Sequence, residues 1–300
     1  MKKIISMLLA LAAAAAVFTG CSENAGSDTS GSSTEAASFD TANEITVISR
    51  ENGSGTRGAF IELFGVEEKD TDGNKVDKTT KGAEIASKTD VVLTSVASNP
   101  YAIGYVSLGS LNDTVKALKI DGVEATTENV KNGSYGVARP FNIATKGEPA
   151  GLVKDFINFI LSKEGQEIVS GSYIAVNESA ESFTSEMPDG KITIGGSSSV
   201  TPIMEKLIEA YKKINTGAEI ELNQTDSTSG MTNAIDGSID IGMASRELTD
   251  SEKTELTPVQ IAIDGIAVVV NPENITDNLT KDQVKTIYVG DAVTWADAVK

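Results

Sequence analysis

The 300-residue sequence has no histidine and a single cysteine, Cys21. Without histidine the chain lacks the commonest general base and the commonest metal ligand together. With one cysteine a disulfide framework cannot form, and Cys21 sits where an export signal ends, so no thiol is left for catalysis. Aromatic residues make up only 5% of the chain, which disfavours sugar binding by ring stacking. Cations are scarce: 25 Lys and Arg stand against 43 Asp and Glu, for a formal charge of −18. Such a balance argues against nucleic acid or an anionic membrane surface as the main partner. It does not exclude a small anion, whose binding depends on local donors. No lysine follows a glycine where a P-loop requires one, and the acidic residues are scattered rather than set in a calcium-loop spacing. No enzyme activity, cofactor or metal is expected.

What is present divides the chain. Residues 1–20 carry Lys2 and Lys3, an apolar run from Ile4 to Phe18, and Thr19-Gly20 before Cys21. This is an export signal too short for an ordinary membrane span. It looks like a bacterial lipoprotein signal, with Cys21 as the lipidated first residue of the mature chain. Residues 21–43 are Ser, Thr, Gly, Ala and acid around one large apolar residue, Phe39, and are expected to form a disordered tether reaching roughly 25 Å. Beyond it, a 40% hydrophobic composition suffices for a real core.

Strand and helix patterns alternate from Glu44 onward, which predicts an α/β fold. Ile45 to Ile48, Asp90 to Thr94, Ala102 to Val106, Leu118 to Ile120 and Asn142 to Thr145 read as strands. Gly151 to Val169 reads as one amphipathic helix. The polar stretch Ala180 to Gly190, with Pro188, reads as a connection. Ile192 to Ile194, Ala218 to Leu222, Ile239 to Met243 and Gln260 to Val270 read as further strands. Helices are expected over Ile203 to Ile214, from Met231 to Ile235, and over Leu279 to Val289.

Four loops stand between a strand and a helix, or close a strand, and are built from glycines and hydroxyls. They are Arg50 to Arg57, Gly195 to Pro202, Asp226 to Gly230 and Ala244 to Glu247. A helix start offers unpaired N–H groups and the positive end of its dipole, and small residues let an anion approach. One such loop is explained by turn and capping chemistry alone. Four of them at the carboxyl ends of strands in an open sheet would converge on one crevice. Gly53, Gly55 and Gly58 also fit the G-x-G-x-x-G dinucleotide spacing, with Asp70 and Asp72 as ribose partners. However, Glu67 to Lys81 is polar and reads as a surface insertion rather than the next strand of a βαβ unit.

The blocks Ile45 to Arg57, Gly195 to Pro202, Ser227 to Met231 and Gly242 to Leu248 together resemble the phosphate-binding lipoproteins of bacterial ABC importers, within the periplasmic-binding-protein class. The resemblance implies a two-lobed type II fold with a hinge and a ligand cleft between the lobes. The block order is reversed relative to the usual family order, so the chain looks circularly permuted, as adjacent termini allow. Mapped onto this order, one lobe spans 44–112 plus 271–300 and the other 113–270. The resemblance implies phosphate ligands at Arg50, Ser54, Gly55, Thr56, Ser198, Ser199 and Ser227. Arg246 stands where well-known members place an acid; it is carried as a further donor. Asp226, Glu51 and Glu247 are candidate acceptors for a protonated phosphate. The implied protein is an extracytoplasmic, membrane-anchored monomer that delivers inorganic phosphate to a permease and binds no nucleic acid. Alternatives are a receptor for a sulfate-like oxyanion, a dinucleotide enzyme or a surface adhesion module.

Overall fold

The computed structural model describes residues 39–300. The export signal, Cys21 and most of the expected tether lie outside the described residues. The end of the expected tether does not hang free: the Phe39 ring packs 5.1 Å from Tyr101 and 6.0 Å from Trp295. Ala296 N–H donates to the Thr41 carbonyl at 2.8 Å, and Ile45 N–H to the Val293 carbonyl at 2.8 Å. One large apolar residue in a polar run was enough to fasten residues 39–43 beside the last helix.

The main strands are β1 (Thr46–Arg50), β2 (Glu84–Ala86), β3 (Ala102–Ser107), β4 (Ala138–Thr145), β5 (Gly190–Ser197), β6 (Ala218–Thr225), β7 (Ile241–Ala244) and β8 (Thr257–Val270). They form one sheet in the order β6-β5-β7-β4-β8-β3-β1-β2. Pairing is parallel at both ends and antiparallel from β7 through β4 and β8 to β3. Strand β8 is fourteen residues long. Its first part pairs with β4 through Gly265, and the rest pairs with β3 from Ile266 onward. A polar hairpin, Glu67–Lys69 with Lys75–Asp77, occupies the expected surface insertion.

The helices are α1 (Gly55–Leu63), α2 (Thr89–Ser98), α3 (Gly151–Leu161), α4 (Lys163–Ser170), α5 (Thr201–Ile214), α6 (Ser227–Asp236), α7 (Asp250–Glu255), α8 (Lys281–Val289) and α9 (Trp295–Ala298), with one short turn of helix at Thr127–Lys131. Two expectations fail here. Asp90 to Thr94 is not a strand but lies in α2, because Thr89, Val92, Leu93 and Val96 share one buried face at helical spacing. The single helix over Gly151 to Val169 is two helices. Ser162 ends the first and caps the second, its Oγ accepting from Gly165 N–H.

Of four apolar clusters among the described residues, the two largest lie along the sheet. Val47, Phe60, Tyr105, Val268, Tyr288 and Trp295 belong to one, in which the Phe60 and Tyr105 rings stack 3.9 Å apart. Phe141, Phe156, Ile194, Ile203, Leu207 and Tyr211 belong to the other. The cores do not divide at the boundaries implied by the resemblance. Leu118, Ile120, Val130 and Val137 pack with Val47 and Phe60, as do Ile266 and Val270. The change of core falls instead between Val137 and Phe141 and between Ala262 and Ile266. The apolar runs of both strands are interrupted at this change, by Arg139 in β4 and by Asp264-Gly265 in β8.

Candidate functional site

Strand β1 ends at Arg50 with its side chain buried, and the next residues turn at once into α1. Ser54 caps that helix, its Oγ accepting from Arg57 N–H at 3.3 Å. Glu51 holds the guanidinium from one side: Arg50 Nε donates to Oε2 and Nη2 to Oε1, each at 2.8 Å. Tyr105 Oη accepts the Arg50 N–H at 3.0 Å, which fixes the backbone below the side chain. On its free side the guanidinium reaches the other lobe, where Nη2 donates to Ser198 Oγ at 3.0 Å, and it also meets Thr89, Nη1 donating to Oγ1 at 3.3 Å.

Hydroxyls continue the contact between the lobes. Thr56 Oγ1 lies 2.8 Å from Ser199 Oγ and 3.4 Å from Ser245 Oγ. Thr89 Oγ1 lies 3.3 Å from both Ser198 Oγ and Ser199 Oγ. Ser227 Oγ accepts from Ser245 N–H at 3.1 Å. Thr56, Thr89, Ser198, Ser199, Ser227 and Ser245 are all buried. Helices α1, α2, α5 and α6 begin at or next to these residues, so first-turn N–H groups gather around the same spot. Two glycines let the halves meet. A Cβ on Gly53 would stand 2.2 Å from Asp226 Oδ1, and one on Gly55 would stand 2.5 Å from Ser227 Oγ.

The structure therefore brings together Arg50, Ser54, Gly55, Thr56, Ser198, Ser199 and Ser227. Arg246 lies beside them, its Cγ 3.1 Å from where a Gly55 Cβ would stand, with its guanidinium turned to a carboxylate of its own lobe. Arg246 Nη1 and Nη2 donate to the two carboxylate oxygens of Glu252 at 2.7 and 2.8 Å. Burial pushes the Glu252 carboxyl up, but the hydrogen bonds from Arg246 and Thr249 outweigh it and hold Glu252 below the ordinary carboxylate range. Of the expected acceptors, Asp226 caps α6 and takes both Ser229 N–H and Ser229 Oγ–H, at 2.9 and 2.6 Å. Glu247 is exposed, 4.0 Å from Lys253. Only Glu51 touches the cluster, and Arg50 occupies both its oxygens. Two residues of the cluster were not foreseen, Thr89 and Ser245. Thr89 was hidden by the strand reading of α2; Ser245 stood inside the quoted Gly242 to Leu248 block without being singled out.

Among the described residues no group of His, Cys, Asp and Glu is placed to hold a metal ion, and no helix is long and apolar enough to cross a membrane. A surface cleft of about 520 Å³, lined by Lys131, Gln166, Tyr173 and Asn177, shares no residue with the hydroxyl cluster.

A family model described as a PBP superfamily domain matches residues 16–164 and 181–300. The phosphate-binding protein PstS 2 of Streptococcus agalactiae serotype V is 48% identical over 286 residues, 95% of this chain and 94% of that protein. The crystal structure of a phosphate-binding protein of a phosphate ABC transporter from Streptococcus pneumoniae TIGR4 is 46% identical, with a TM-score of 0.69 over 85% of this chain and 100% of that one. The phosphate-binding protein PstS of Staphylococcus aureus strain USA300 is 42% identical, but over 110 residues only, 34% of each chain. Identity that runs nearly end to end, on a fold of the same shape, places this chain in the PBP superfamily, among the phosphate-binding proteins of bacterial ABC transporters.

Proposed function

We propose that the chain captures inorganic phosphate between its two lobes and delivers it to the permease of an ABC importer, acting as a binding protein and not as a catalyst. Its main support is one observation: a buried guanidinium and six buried hydroxyls from both lobes meet where four helices begin. Arg50, Ser54, Gly55, Thr56, Ser198, Ser199 and Ser227 are the proposed phosphate contacts, through side chains and first-turn N–H groups. Hydrogen bonds to a charged partner contribute about 1.5–3 kcal/mol each, and micromolar affinity needs only roughly 8 kcal/mol. A handful of these donors suffices, even on a chain of net charge −18. Closure of the lobes is the motion that would bring Arg50 and Ser198 onto one anion.

The proposal extends to the cell surface. The relatives named for phosphate binding, and the lipoprotein-like signal before Cys21, support an extracytoplasmic protein anchored by a lipid on Cys21. The permuted order is supported by the bridge between Glu44 and Thr294, which sets the two ends of the body side by side. The match to one third of the staphylococcal protein is what a changed block order would leave.

Calorimetry of the purified chain with inorganic phosphate tests the proposal. Saturable binding with one phosphate per chain is expected, and sulfate at equal concentration should not displace it. No heat with phosphate would overturn the proposal, and tighter sulfate binding would move it to another oxyanion.

A further inference from the structure

Near neutral pH phosphate carries a proton and sulfate does not, so a site that prefers phosphate needs an acceptor for that proton. The carboxylates around this cleft already accept hydrogen bonds from the protein's own donors. Glu51 accepts from two nitrogens of Arg50, Asp226 from Ser229, and Glu252 from Arg246 and Thr249. The other acceptors in the cluster are hydroxyls, which donate one hydrogen and accept through two lone pairs.

Thr89 and Ser198 are the two hydroxyls that accept from the Arg50 guanidinium, and of these Thr89 reaches two serines of the opposite lobe. It is 5% exposed, and its Oγ1 lies 3.3 Å from each of Arg50 Nη1, Ser198 Oγ and Ser199 Oγ. An arginine nitrogen only donates, so one lone pair of Oγ1 faces Arg50. The single hydroxyl hydrogen can serve only one of the two serines, so the second lone pair faces the other serine, where an anion entering between the lobes would meet it. Thr89 also opens α2, whose capping residue Lys88 makes no side-chain cap, so first-turn N–H groups point the same way.

We propose that Thr89 is a further phosphate-binding residue, and that its Oγ1 accepts the hydrogen bond from the protonated oxygen of the anion. This rests on the cleft being the phosphate site proposed above. Phosphate is then told from sulfate by a neutral acceptor instead of a carboxylate. Sulfate at that position loses one hydrogen bond and meets no opposing charge, so the preference is real but bounded.

The test titrates the full chain and its Thr89→Val, Thr89→Ala and Thr89→Ser variants with phosphate and, separately, with sulfate. Thr89→Val keeps the shape and removes the hydroxyl; Thr89→Ala does the same chemically if the valine variant fails to fold. Both should bind phosphate about tenfold more weakly and sulfate within roughly threefold of the unaltered chain, while Thr89→Ser should bind both nearly as before. Unchanged phosphate affinity in the valine or alanine variant overturns the proposal. Equal losses for phosphate and sulfate overturn the acceptor role, because a donor would serve both anions alike. Failure of the cleft as a phosphate site would show differently, as no phosphate binding by the unaltered chain.

Discussion

Arg50 is the charge on which the cleft depends, and its neighbours explain why it can be buried. Both oxygens of Glu51 fix the plane of the guanidinium, Thr89 and Ser198 occupy other N–H directions, and Tyr105 Oη holds the backbone N–H. A fork of this kind offers planar, bidentate donation to an oxyanion, and lysine cannot reproduce it. Arg50→Ala removes at least one charge-assisted hydrogen bond to the anion, each worth about 1.5–3 kcal/mol, so phosphate affinity should fall by well over tenfold. Arg50→Lys keeps the charge and should still weaken binding by roughly an order of magnitude, since a point donor cannot serve Glu51 and the anion together. Calorimetry on both variants checks this, and an alanine variant with native affinity would show that phosphate binds elsewhere.

At the scale of elements, the cleft is a set of helix starts pressed together, and small residues make that approach feasible. Gly55 opens α1 with ordinary backbone angles, yet a Cβ there would stand 2.5 Å from Ser227 Oγ and 2.9 Å from Ser245 Oγ, both from the opposite lobe. Gly55→Ala should therefore hold the lobes apart and cost more than tenfold in phosphate affinity. Within its own lobe the methyl meets nothing comparable, so thermal unfolding should move by only a few degrees; a large loss of stability would show that the contact belongs to one core. The loops of this cleft were legible in the sequence because each follows an apolar strand and is itself free of large apolar side chains. What stayed hidden had physical causes. The run Asp90 to Thr94 is rich in β-branched residues, and local preference hid a helical face that packing on β3 enforces. Thr89 was lost with it. Arg246 was carried as a ligand although Thr249-Asp250-Ser251-Glu252 spells a capping box, the signal that α7 starts there and sets Glu252 within reach of the guanidinium. The change of core was missed although a charged residue marks it in each strand, Arg139 in β4 and Asp264 in β8, because a lone charge in an apolar run gives no sign of its partner.

Over the whole molecule, those two strands are the joint. Where β8 passes from one core to the other, Asp264 stands in register with Arg139 of β4, and both are buried. Arg139 Nη2 lies 3.0 Å from Asp264 Oδ2, without the alignment of a good hydrogen bond, and the guanidinium carbon sits 5.3 Å from the centre of the Phe141 ring. Burial outweighs the attraction between them. It pushes the Asp264 carboxyl up to about 6 and the Arg139 guanidinium down to about 10. An unfolded aspartate titrates near 3.9, so between roughly pH 4 and 6 the folded chain holds a proton that the unfolded chain has released. The stability contributed by Asp264 is thus fully present below about pH 4 and is lost as the pH rises through about 6. Asparagine at this position never titrates and resembles the protonated Asp264 that the folded chain holds below about pH 6. Asp264→Asn should accordingly match the parent near pH 4 and become the more stable protein as the pH rises to about 6.5, by at most ~3 kcal/mol. Urea unfolding of both proteins across that range measures the gap. A constant difference would mean that Asp264 is charged throughout, and that the pair across the joint attracts strongly enough to offset its burial.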